Sequence, residues 1–138
     1  DVGPLRNLLH VLKSNRGMCL AAEGRRSRTG RLGPINKVVV KLAARAAREE
    51  IPVFPVAANG TFESLPTGAR WPRPRKIHVI ISRPIDLSRW KNGGKSEEDI
   101  ADLAKLLQDS IAGLLPPERR PSADTPALAP SGGNTFDT

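Results

Sequence analysis

The chain has 138 residues and a mass of 14.9 kDa, 38% of them hydrophobic, which suits a single domain and leaves no clear room for two. Its 22 Lys and Arg against 14 Asp and Glu give a formal charge of +8, so the expected partner is anionic: a nucleic-acid backbone, an anionic membrane surface or a phosphorylated metabolite. The lone Cys19 has no partner for a disulfide within these residues, no apolar stretch is long enough to span a bilayer, and two Trp, three Phe and no Tyr leave the interior to aliphatic side chains.

The first expected element is a helix over residues 1–15. Pro4 suits its first turn, and Leu5, Leu8, Leu9 and Leu12 recur at i, i+3, i+4 and i+7. Gly17 ends it. Residues 18–22 form a continuous apolar run, the pattern of a strand covered on both faces, with Cys19 as a buried thiol. Residues 23–36 mix Gly, Pro34 and dense positive charge and read as a loop. Residues 37–50 place Val39, Leu42, Ala43, Ala46 and Ala47 on one helical face.

Residues 51–58 are apolar but carry Pro52 and Pro55. Proline removes a backbone donor, so this strand belongs at an edge or has its first half outside the ladder. Residues 59–75 are irregular. Residues 76–83 alternate, with Ile77, Val79 and Ile81 on one side and His78 and Ile80 on the other, and stop at Pro84. Ser96 and Asp99 have capping-box spacing, and Ile100, Leu103, Leu107, Ile111 and Leu114 carry a helical stripe to Pro116. Residues 116–138 are rich in Pro, Ser, Thr and Gly and are expected to form a disordered tail. The order predicts an α/β domain over residues 1–115, with a mostly parallel sheet flanked by helices. Three strands are few for such a sheet, so its set is expected to be incomplete on the amino-terminal side.

Chemistry concentrates in Glu23, Gly24, Arg25, Arg26, Ser27, Arg28 and Thr29, directly after the apolar run. A glycine lets amides approach an oxyanion, arginines give bidentate contacts to phosphate, and hydroxyls add donors. Ligands of open α/β sheets also bind beyond the carboxyl ends of strands. Composition alone weighs an anion site evenly against a solvated basic loop. A second basic group, Arg70, Arg73, Arg75 and Lys76 around Trp71, suits a membrane interface or an ordinary polar loop.

The Glu23 stretch resembles the third sequence block, Phe-Pro-Glu-Gly-Thr-Arg-Ser, of the glycerol-phosphate and 1-acylglycerol-phosphate acyltransferase family. Glu23, Gly24, Arg26 and Ser27 match it, while Ala21, Ala22 and Arg25 replace its Phe, Pro and Thr. Ile51, Pro52, Val53, Phe54, Pro55 and Val56 resemble the fourth block, Val-Pro-Xaa-Xaa-Pro-Val. The resemblance implies the carboxyl-terminal portion of such a domain, in which Arg26, with Glu23, Gly24 and Ser27, shapes the pocket for the acceptor's phosphate, and Arg25, Arg28 and Thr29 add contacts.

In that family a His-Xaa4-Asp motif supplies the general base. Here His10 and His78 are followed five residues on by Asn15 and Arg83, so neither forms the motif. His10 is expected on a helix surface and His78 in a strand. The resemblance implies an acyltransferase of phospholipid biosynthesis as the full-length parent, with this chain alone inactive. Its donor would be acyl-CoA or acyl carrier protein, its acceptor a lysophospholipid or glycerol phosphate. It would sit peripherally on the cytoplasmic side of a membrane, with no metal or organic cofactor. The rival readings are a basic nucleic-acid-binding module, weakened by the scarcity of stacking aromatics, and a catalytically inactive interaction domain.

Overall fold

Two helices carry the interior of the chain. In the computed structural model, which describes residues 3–130, α1 spans Gly3–Lys13, α2 Lys37–Arg48, β1 Val56–Asn59, α3 Thr61–Ser64, β2 His78–Ile81 and α4 Glu97–Ala112. Short 3-10 turns lie at Ser88–Trp90 and Pro117–Arg119.

Helix α2 starts where Asn36 caps it, the side-chain carbonyl accepting the Val38 amide at 2.9 Å. Its small residues Ala43, Ala44 and Ala47 let α4 come close, and α4 answers with Ile100, Leu103, Ala104 and Leu107. Ile35, Val40 and Leu103 are fully buried at the centre of this cluster. The capping box expected at α4 is present: the Ser96 hydroxyl accepts the Asp99 amide at 3.0 Å, and the Asp99 carboxylate accepts the Ser96 amide at 3.3 Å. That hydrogen bonding holds the Asp99 carboxyl below its ordinary value. Trp90 fills the cluster beside α4 and donates its indole N–H to the Asp99 carbonyl at 3.0 Å.

The sheet differs from the expected one. It consists of β1 and β2 alone among the described residues, and they run antiparallel, with Val56 opposite Ile81 and Asn59 opposite His78. The two strands are joined by α3 and an irregular stretch with no crossover helix between them, so the chain simply doubles back. Proline explains where β1 begins: residues 51–55 stay outside the ladder, as anticipated, and are tied down by single bonds from Ile51 to Ala46, from Ile85 to Val53 and from Ser82 to Pro55.

Residues 18–22 are also not a buried strand. Leu20 is 40% exposed and Cys19 is exposed, because no described strand lies beside them to pair with or to cover them. The region expected to be disordered from residue 116 is instead laid along the core as far as the description extends. Ala127 and Leu128 pack against the α2 and α4 cluster, and Leu128 bridges Ile35 in parallel fashion. Its order rests on backbone hydrogen bonds, which its small-residue composition does not reveal. Residues 131–138 of that expectation lie outside the described residues.

Candidate functional site

The arginine loop hangs between residue 22 and the start of α2. A tight turn opens it, the Gly24 amide donating to the Ala21 carbonyl at 3.0 Å. Gly24 has φ +70, and a Cβ there would fall 2.7 Å from the Asn36 side-chain nitrogen, so only glycine fits. The Asn36 amide donates to the Ala22 carbonyl at 2.9 Å, which binds the mouth of the loop to the amino terminus of α2.

Each predicted residue has a defined place. Glu23 is half-buried with its carboxylate against the Gly33 backbone, so it braces the two limbs of the loop. Burial raises its pKa above the ordinary 4.5, opposed by the facing Gly33 amide and the Arg25 charge. Ser27 donates its hydroxyl to the Arg31 carbonyl at 2.7 Å and receives the Thr67 hydroxyl on its own carbonyl at 3.0 Å. Thr29 accepts the Arg31 amide at 3.3 Å. Glu23, Ser27 and Thr29 therefore shape the loop, while the side chains of Arg25, Arg26 and Arg28 are exposed.

Among the described residues none of these three arginines forms an ion pair, and the amides of residues 25–28 have no hydrogen-bond partner. Three exposed guanidiniums and the unpartnered amides of residues 25–28 thus belong to one short stretch of the loop. Arg26 points into solvent. A groove of about 670 Å³ lies elsewhere, between β2 and the end of α4, and is lined by Asn59, residues 77–80 and residues 113–116. None of residues 23–29 reaches it.

His10 lies exposed on α1 and His78 exposed in β2, as expected, and neither has a carboxylate partner among the described residues. No cluster of metal-binding side chains occurs among the described residues, and no helix is long and apolar enough to cross a membrane. Arg70, Arg73, Arg75 and Lys76 are all exposed around Trp71, which is 81% exposed. Four residues that the sequence did not single out complete the loop's surroundings: Asn36, Thr67, Gln108 and Arg119. Only Asn36 carried a visible signal, as a cap residue ahead of a helical pattern.

The chain is 30% identical over 115 residues to a 1-acyl-sn-glycerol-3-phosphate acyltransferase of Limnanthes douglasii, covering 83% of this chain and 38% of that one. A chloroplastic 1-acyl-sn-glycerol-3-phosphate acyltransferase of Brassica napus is 33% identical over 86 residues, covering 62% of this chain and 24% of the relative. The corresponding enzyme of Cocos nucifera is 28% identical over 111 residues, or 80% of this chain and 33% of the relative. The chain belongs to the 1-acylglycerol-3-phosphate acyltransferase family. It spans less than two-fifths of the length of these acyltransferases. No family model matches the chain, and no solved structure does.

Proposed function

We propose that these residues form the phosphate-holding part of an acyltransferase that moves a fatty acyl group from acyl-CoA or acyl carrier protein to lysophosphatidate or glycerol phosphate. The observation that carries this reading is the match to the plant acyltransferases over most of the chain. The arginine loop adds its chemistry. Arg26 offers two parallel N–H donors to the acceptor's phosphate, Arg25 and Arg28 raise the local potential, and the free amides of residues 25–28 supply neutral donors. Glu23 is a brace in this scheme and does not touch the phosphate.

Fixing the phosphate orients the acceptor's hydroxyl toward the acyl thioester and makes the attack effectively unimolecular. The base that accepts the hydroxyl proton is neither His10 nor His78 in this reading, since among the described residues neither has the carboxylate that would hold its ring. The Trp71 cluster, with its flanking cations, suits contact with an anionic lipid surface on the cytoplasmic side of a membrane, from which such an acceptor is drawn.

Arg26→Ala in the acyltransferase that carries these residues tests the reading. Loss of one charge-assisted pair, worth about 1.5–3 kcal/mol, raises the acceptor KM by roughly 10- to 150-fold and leaves the donor KM unchanged. An unchanged acceptor KM and kcat in that variant would refute the assignment.

A further inference from the structure

Gln108 is the one buried polar side chain among the described residues, 5% exposed in the middle of the aliphatic stripe of α4. A side-chain amide buried there is costly unless both its hydrogens find acceptors. Both do. Nε2 donates to the Gly33 carbonyl at 3.1 Å and to the Pro126 carbonyl at 3.2 Å. One side chain therefore joins three pieces far apart in sequence: α4, the closing limb of the arginine loop, and the segment after Pro116.

That segment grips the same limb along its length. The Leu32 amide donates to the Arg119 carbonyl at 2.9 Å, the Ile35 amide to Ala127 at 2.7 Å, and the Ala129 amide returns to the Ile35 carbonyl at 2.9 Å. Arg31 reaches the Arg120 carbonyl at 3.2 Å. Arg119 pairs with Glu63, lies 5.4 Å from the centre of the Phe62 ring and, with that ring, closes over Gly30, leaving no room for a Cβ there. Gly33, held by Gln108 through its carbonyl, in turn faces Glu23 and thereby sets the distance between the two ends of the loop.

We propose that Gln108 is a positioning residue for the anion-binding loop, acting through a strap formed by residues 117–129 that locks the loop's closing limb. The inference rests on the phosphate-binding reading above. Its mechanism is pre-organisation: a loop already held with its amides and arginines presented to one point loses less entropy when phosphate arrives. Without the clamp the limb frays, and each phosphate bound must first order it.

The test uses the full chain, labelled for NMR, titrated with sn-glycerol 3-phosphate and with glycerol as the control lacking phosphate. The variants are Gln108→Met, which keeps the shape and removes both donors, and Ala129→Pro, which deletes one strap hydrogen bond, that to the Ile35 carbonyl. Both are expected to weaken sn-glycerol 3-phosphate binding about tenfold. Both are also expected to speed hydrogen exchange at Leu32 and Ile35 while the amides inside α4 keep their protection. Wild-type binding matched by both variants overturns the positioning role and leaves the phosphate-binding reading standing. If the wild-type chain binds no sn-glycerol 3-phosphate, that reading falls and the positioning role falls with it. Unchanged exchange at Leu32 and Ile35 in both variants overturns the strap on its own.

Discussion

Replacing Leu103 by Ala and Val79 by Thr separates the part of the chain that supplies its stability from the part that does not. Leu103 is completely buried between α2 and α4, whereas Val79 in β2 is 62% exposed and its neighbour Ile81 is 67% exposed. Leu103→Ala removes three buried carbons at about 0.8 kcal/mol each, roughly 2.4 kcal/mol of transfer free energy. The cavity left behind raises the total to about 3–4 kcal/mol, since the alanines of α2 opposite it have no bulk with which to collapse inward. Val79→Thr keeps the branched shape that suits a strand and uncovers nothing already buried, so its cost stays within about 0.5 kcal/mol. Urea unfolding of the 138-residue chain, followed by circular dichroism, reads the difference. With a slope of about 1.5 kcal/mol per molar urea, the Leu103→Ala midpoint drops by about 2 M and that of Val79→Thr hardly moves. Equal losses would refute the reasoning, because they would mean that β2 is covered in solution.

Three further outcomes follow from the same geometry. Ser96→Ala removes the hydroxyl that caps α4 and should cost about 1 kcal/mol in a thermal or urea melt; no measurable loss would show that the capping box carries no weight. Burial raises the Glu23 carboxyl above 4.5, so above that pH the native chain holds a proton that the unfolded chain has released, and this group's contribution to stability falls as pH rises through the folded value. Glu23→Gln removes that slope, and melts from pH 4.5 upward should show the variant gaining on wild type; a constant difference across the range would contradict the burial of the charge. Cys19 is exposed, so a thiol reagent should label it at the same rate in the native chain as in the urea-unfolded chain, and labelling that waits for unfolding would place residues 18–22 in a covered strand after all.

Helices were legible because their signals are local. Ser96 three residues before Asp99 is a cap whose hydrogen bonds close within one turn, and it stands where the pattern put it; Asn36 caps α2 in the same local way. The sheet was legible only as separate strands. An apolar run such as residues 18–22 says that both faces want cover, but pairing and direction depend on what lies alongside, and β1 found β2 while residues 18–22 found no described neighbour. Trp90 escaped notice for a related reason: its place in the core is set by an indole hydrogen bond to a carbonyl on a helix that begins later in the chain.

The loop shows the same division more sharply. Its glycine and arginines could be picked out by residue type alone, and Gly24 occupies a turn that side-chain-bearing residues enter only with strain. Its closure could not be picked out, because it is made almost wholly by backbone groups: the carbonyls of Gly33, Arg119, Pro126 and Ala127 and the amides of Leu32, Ile35 and Ala129. Every residue type but proline carries both such groups, so composition is blind to them. A stretch poor in large apolar side chains then reads as unable to offset its ordering entropy. Residues 117–129 meet that cost differently, by hydrogen-bonding the amides of Leu32 and Ile35 and the Ile35 carbonyl and adding only Ala127 and Leu128 to the core. Gln108 adds a side chain to that closure, a polar residue on the apolar stripe of α4. Once buried, such a residue needs acceptors for its two hydrogens, and the two it finds belong to the loop and to the strap.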